Sequence, residues 1–144
     1  MYGGSERNDA FAMKAAAHDL QALIAFYNTR CEGVNFPLMA IIDYRGYRLI
    51  AMSILPVNGK SLIYGCCDGG KNVFASDPLF NEKMKQMCSL MNLKEHVVMD
   101  KTLHCCGDIE GHLGTDGKYY LLDFARLFPP EAPSRFALLS LTPT

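Results

Sequence analysis

The chain has 144 residues, 49% hydrophobic and 20% charged, with a net charge of −1. That length defaults to one domain with enough chain to bury a core. The near-zero charge excludes a global attraction for nucleic acid or anionic membrane, so any such binding needs a local patch. There is no run of about 18 apolar residues, so no membrane insertion is expected. The N-terminal MYGGSERNDA has no charged and then apolar leader, so no secretory signal is expected either.

Taken in order, residues 1–9 read as a flexible N-terminal segment, small, polar and glycine-rich, and 10–144 as a single α+β domain. Asn8 or Asp9 can cap a helix, which is expected from Ala10 to Thr29 with Phe11, Ala15, Leu20, Leu23, Ile24 and Tyr27 on its buried face. His18 on this helix reads as a surface or boundary residue. Arg30 to Asn35 reads as a connector. Phe36 to Tyr44 and Tyr47 to Leu55 form a hairpin around Arg45-Gly46. After a turn at Pro56 to Gly59, Lys60 to Cys66 should add a third strand and complete an antiparallel meander.

Asp68-Gly69-Gly70-Lys71 is a glycine turn beside a lysine, the composition of a phosphate cradle, without the length or spacing of a P-loop. Asp77-Pro78 starts a second helix, Leu79 to Asn92, whose Phe80, Met84, Met87, Cys88 and Met91 fall on a core stripe. His96 to Met99 is a short strand. Ile109 to Leu113 and Tyr119 to Phe124 flank a turn at Thr115-Asp116-Gly117, and Pro129-Pro130 end any regular element. Phe136 to Leu141 is apolar enough to dock on the sheet. The sum is an antiparallel sheet of about five to six strands packed by two main helices.

Three stretches go beyond generic patterning: DYRGYRLIAMSILP from Asp43 to Pro56, the YG..D.GK pattern from Tyr64 to Lys71, and GTDGKYYLLDFARLFPPE from Gly114 to Glu131. Together they resemble the later part of the Clu domain of the clustered-mitochondria proteins, over about residues 20–133. The resemblance implies a cytoplasmic protein involved in mitochondrial distribution and associated with messenger RNAs for mitochondrial proteins. It carries over no catalytic residues. The larger members continue well upstream and carry tetratricopeptide-like repeats, none of which is visible here. Glu110 departs from the basic residue expected at its position.

The leading reading is a non-enzymatic interaction module with an mRNA or protein partner and no cofactor. An RNA surface needs cations with aromatics for stacking, and Arg45, Tyr47, Arg48, Lys60 and Lys71 are its candidates. The alternative is a divergent kinase-like or nucleotide-binding phosphotransfer fold using Lys71 and Asp123, although no HRD-like catalytic loop is present. Asp123 stands inside the apolar run, where a buried charge requires a partner. Pairing with Arg126 or Arg45 gives it a structural role. The six cysteines, with no CxxC among them, read as buried thiols. A redox role for the adjacent pairs and a zinc site from His104, Cys105, Cys106 and His112 are the other readings.

Overall fold

The computed structural model describes residues 8–128. The first helix, α1, runs Asp9–Asn28. Asn8 caps it from an extended backbone conformation, its side chain accepting from the Phe11 N–H. The helix buries only part of the face its periodicity suggested: Leu23 is buried and Leu20 packs against the core. Ala16, Asp19, Ala22, Leu23 and Phe26 point inward, while Phe11, Ile24 and Tyr27 are exposed. The reason is Asp19, which is 2% exposed and accepts the Phe124 N–H at 2.9 Å. A buried acid held by a backbone donor sits mid-stripe and interrupts the apolar spacing on which periodicity depends.

The connector contains a short strand, β1 (Val34–Asn35). The next two strands, β2 (Met39–Tyr44) and β3 (Tyr47–Met52), form the expected hairpin around Arg45 and Gly46. Both loop residues have positive φ, 47° and 82°, which matches the twist of a two-residue hairpin loop. The third strand does not complete a meander. β4 (Leu62–Gly65) pairs with later strands, and β2–β3 stands as a separate two-stranded sheet. Pro56 accounts for the break. It has no N–H to continue a ladder, and its carbonyl accepts from Thr115 N–H at 2.8 Å, drawing the chain across to a distant turn.

Next come β5 (Phe74–Ala75) and α2 (Pro78–Leu90). Asp77 caps α2 by accepting from the Phe80 N–H at 3.0 Å, and its second oxygen accepts from the Tyr119 hydroxyl at 2.9 Å. Of the expected core stripe, Phe80, Met84, Met87 and Cys88 are buried and Met91 half-buried. A small hairpin, β6 (His96–Val98) and β7 (Lys101–Leu103), precedes β8 (Glu110–Leu113) and β9 (Tyr119–Leu122). The main sheet has the order β1-β9-β8-β4-β5 and is antiparallel except for β1, which lies parallel to β9. Two helices on a mainly antiparallel sheet make an α+β fold. Phe136 to Leu141 and Pro129-Pro130 lie outside the described residues.

The core gathers two aromatic groups. Phe26, Phe36 and Phe124 meet with ring centroids 5.6–6.4 Å apart. Phe80 packs 5.7 Å from Tyr64 and 5.2 Å from Tyr119. Tyr64 is fully buried, and its hydroxyl accepts from the His104 N–H at 2.8 Å, which meets the need of a buried phenol for a partner.

Candidate docking surface

β9 ends at Leu122, so Asp123 lies outside the strand, exposed and with φ of 60°. Arg126 does not neutralise it by direct pairing. The guanidinium instead reaches Asp108 at 2.9 Å. Partial loss of water around the Asp123 carboxyl, then the nearby charges of Asp108, Glu110 and Asp19, raise its pKa to about 6, with Arg126 opposing. The ion-pair expectation assumed a strand that continued to Phe124. A residue in the left-handed region turns its side chain out of the sheet instead.

A folded-state pKa above the unfolded value contributes stability that is present at acid pH and lost as pH rises through about 6. The exposure of Asp123 keeps the effect small. Asp123→Asn, which tolerates positive φ, is therefore expected to leave the melting temperature unchanged near pH 4 and raise it slightly at pH 7. A lower melting temperature at pH 7 would show that the charged form is held by a partner.

Lys71 belongs to a loop whose donors point inward. Asp68 accepts from the N–H groups of Lys71 and Asn72, each at 3.0 Å, and from the Asn72 side chain at 2.6 Å. The Cys66 sulfur accepts from Gly70 N–H at 2.9 Å. The Asn72 backbone N–H first, then its side chain and Cys66, hold the Asp68 pKa down at about 2. The amides that would cradle a phosphate are thus filled by the loop's own carboxylate. Lys71 and Asp123 fall at the same end of the sheet, beyond β4 and β9, with β8 between those strands.

The residues of the paper zinc site are dispersed among other partners. His112 contacts Ser61 Oγ at 2.9 Å and Glu110 Oε2 at 3.3 Å, one on each ring nitrogen. His104 lies 3.8 Å from Glu95, and the Cys105 and Cys106 sulfurs are 3.7 Å apart. No group of three His, Cys, Asp or Glu among the described residues is arranged to hold a metal.

Sequence reading missed the Ser61–His112–Glu110 line, because its members are 51 and 2 residues apart. The line resembles a nucleophile–base–acid series in its order, but its serine is tied into the loop before β4. The Ser61 hydroxyl also lies 2.6 Å from Asn58 O and accepts from the Asn58 N–H at 2.9 Å, so it is shared between the loop backbone and His112. The role of the line is to fasten β4 to β8. Glu110, the departure from the expected basic residue, lies 3.3 Å from His112 Nε2.

The five cationic and aromatic candidates come from different elements. Arg45, Tyr47 and Arg48 share the β2–β3 hairpin, whereas Lys60 precedes β4 and Lys71 follows it. Arg48 is engaged by Asp43 through two bonds of 2.7 and 2.8 Å, and the hydrogen bond from Arg48 lowers the Asp43 pKa. Arg45 lies over the Tyr44 ring, 5.3 Å from its centroid.

What the hairpin does present is an apolar face. The cross-strand pairs Ala40–Ala51, Ile42–Leu49 and Tyr44–Tyr47 alternate onto one side, and all six residues are exposed, Tyr47 at 73%. The Asp43–Arg48 pair sits on the opposite side with Ile41 and Ile50. Contiguous exposed apolar side chains of this kind mark an interaction site.

The fold and this surface define an α+β domain with an outward-facing apolar hairpin. A family model, Clustered mitochondria, matches residues 3–133, and the chain belongs to that family. Its relatives include a clustered mitochondria protein homolog of Danio rerio, 34% identical over 133 residues, and Protein clueless of Drosophila ananassae, also 34% identical over 133 residues. Each alignment covers 85% of this chain and 9% of the relative. The Clustered mitochondria protein of Arabidopsis thaliana is 32% identical over 147 residues, covering 92% of this chain and 10% of that protein. The chain thus spans about a tenth of the length of the curated relatives it matches. No solved structure matches it. No helix among the described residues is long and apolar enough to cross a membrane.

Proposed function

We propose that this chain is a non-enzymatic docking module that acts in mitochondrial distribution by binding a protein partner in the cytoplasm. The observation that carries the reading is the uncharged hairpin face of Ala40, Ile42, Tyr44, Tyr47, Leu49 and Ala51, exposed on a strand pair that stands apart from the main sheet. An apolar ribbon in water costs solubility, and a partner surface that covers it gains about 25 cal/mol for each Å² of apolar area removed from water. The names of the relatives support the mitochondrial context. An RNA partner has less support, since Arg48 is engaged by Asp43.

The test places charge on the face. Ile42→Lys with Leu49→Glu should change stability by no more than about 1 kcal/mol, each site being exposed. In cells that depend on the chain for mitochondrial distribution, the pair should abolish that role. If distribution survives while Arg45→Ala with Lys71→Ala abolishes it, together with salt-sensitive binding to single-stranded RNA, the protein-docking reading is overturned.

A further inference from the structure

The two adjacent cysteine pairs are arranged differently. In the first, the Cys66 sulfur accepts from Gly70 N–H at 2.9 Å, while Cys67 is exposed. In the second, at the bend between β7 and β8, the Cys105 and Cys106 sulfurs are 3.7 Å apart. Cys105 is 3% exposed and belongs to the core, beside Cys88 of α2. Cys106 is half-buried, so water and small solutes reach it. The bend is also fastened to its surroundings. The His104 N–H donates to the buried Tyr64 hydroxyl at 2.8 Å, and the Ile109 N–H donates to the Cys106 carbonyl at 3.3 Å.

We propose that Cys105 and Cys106 form a redox switch, closing into a disulfide between neighbours when a hydroperoxide oxidises the Cys106 sulfur. In the first step the Cys106 thiol gives its proton to water and its sulfur attacks the peroxide. The O–O bond breaks, leaving a sulfenic acid and an alkoxide or hydroxide that water protonates. In the second step the Cys105 sulfur attacks the Cys106 sulfur. The S–S bond forms as the S–O bond breaks, and the Cys105 proton leaves with the hydroxyl as water. Two thiols lose two electrons, and one hydroperoxide is reduced to an alcohol or water with one further water.

The roles follow from the surroundings. Hydrogen bonding to Cys106, then to Cys88, with burial, raises the Cys105 pKa. Cys105 therefore resolves the sulfenic acid and Cys106 is the sulfur attacked first. Cys67, though exposed, is a poorer target, because partial loss of water and then the charges of Glu110 and Asp68 raise its pKa. Neighbouring Cα atoms are about 3.8 Å apart across a trans peptide, less than the roughly 4.4–6.8 Å that disulfides prefer. The closed ring is thus strained and readily reduced, as a reversible switch requires. The bend lies between Leu103 and Glu110, outside any strand, and is free to turn. Turning it draws the Cys105 sulfur away from Cys88 and strains the His104–Tyr64 bond.

The test treats the full chain with a few equivalents of hydrogen peroxide, alkylates free thiols after unfolding, and digests with trypsin. Cys105 and Cys106 share the peptide 102–118, Cys88 lies in 86–94, and Cys66 and Cys67 lie in 61–71. Peptide 102–118 should be lighter by two hydrogens and carry no alkyl label, and dithiothreitol should reverse both. The oxidised chain should melt several degrees lower by circular dichroism and recover on reduction. Cys67→Ser should leave both results unchanged. Cys106→Ser should abolish both, and it controls for methionine oxidation. A cross-link between 102–118 and 86–94, a ring in 61–71, or Cys106 carried to the sulfonic acid with Cys105 still labelled would overturn the proposal. So would a ring that leaves the melting temperature unchanged.

Discussion

Replacing Gly65 by alanine should lower stability by about 4 kcal/mol or more and the melting temperature by roughly 10–20 °C. Gly65 ends β4 with φ of 84°, a conformation costly for any residue bearing a Cβ. Strain alone would cost about 1–2 kcal/mol. The larger part is steric. An alanine Cβ would run into the Ile109 carbonyl, lying only 2.8 Å from its carbon. Neither group can yield cheaply, because Ile109 is fully buried and leads into β8, and Gly65 is paired with both Phe74 and Glu110 across the sheet. The clash therefore falls where three strands are joined. Thermal unfolding by circular dichroism checks it, and a loss below about 1 kcal/mol would mean that the backbone there shifts freely.

The second large effect is a coupling between Gly111 and Phe80. A Cβ at Gly111 would lie 2.7 Å from Phe80 Cζ and 2.9 Å from Tyr64 Cβ. The missing side chain is thus the space into which the α2 phenylalanine inserts. Gly111→Ala should cost about 3 kcal/mol through overpacking. Phe80→Ala should cost about 4 kcal/mol through lost burial and a cavity. In the double variant the new methyl enters the space vacated by the ring. The combined loss should fall short of the sum by at least about 1 kcal/mol, as expected for residues that share one packing site. Urea midpoints at constant m-value measure all four corners of the cycle. Additivity within about 0.5 kcal/mol would show that Gly111 is required by its close approach to Tyr64 and not by the ring.

Both glycines illustrate what local reading can and cannot see. Each stands within a stretch already marked as strand or turn, yet the reason each must be glycine is an atom far away in sequence: Ile109 for Gly65, Phe80 for Gly111. The inward face of α1 has the same character. Asp19 is buried because Phe124, 105 residues later, offers it an N–H. Asp123, by contrast, reads as a buried charge because it continues an apolar run, and its positive φ takes it out of that environment. Arg48 was legible as a cationic candidate, but its pairing with Asp43 depends on the β2–β3 register.

The sequence by itself determined the local elements: both helix caps, the two-residue hairpin loop, the α2 core stripe, the turn before β9 and the α+β class. These rest on contacts a few residues apart, where spacing and side-chain chemistry decide the outcome. Only the tertiary structure decided which strands pair, which face of α1 is buried, and that the β2–β3 hairpin stands outside the main sheet with its apolar side open. Those outcomes arise from competition among distant partners for the same edges and donors. A strand carries the same alternation whichever neighbour it finds.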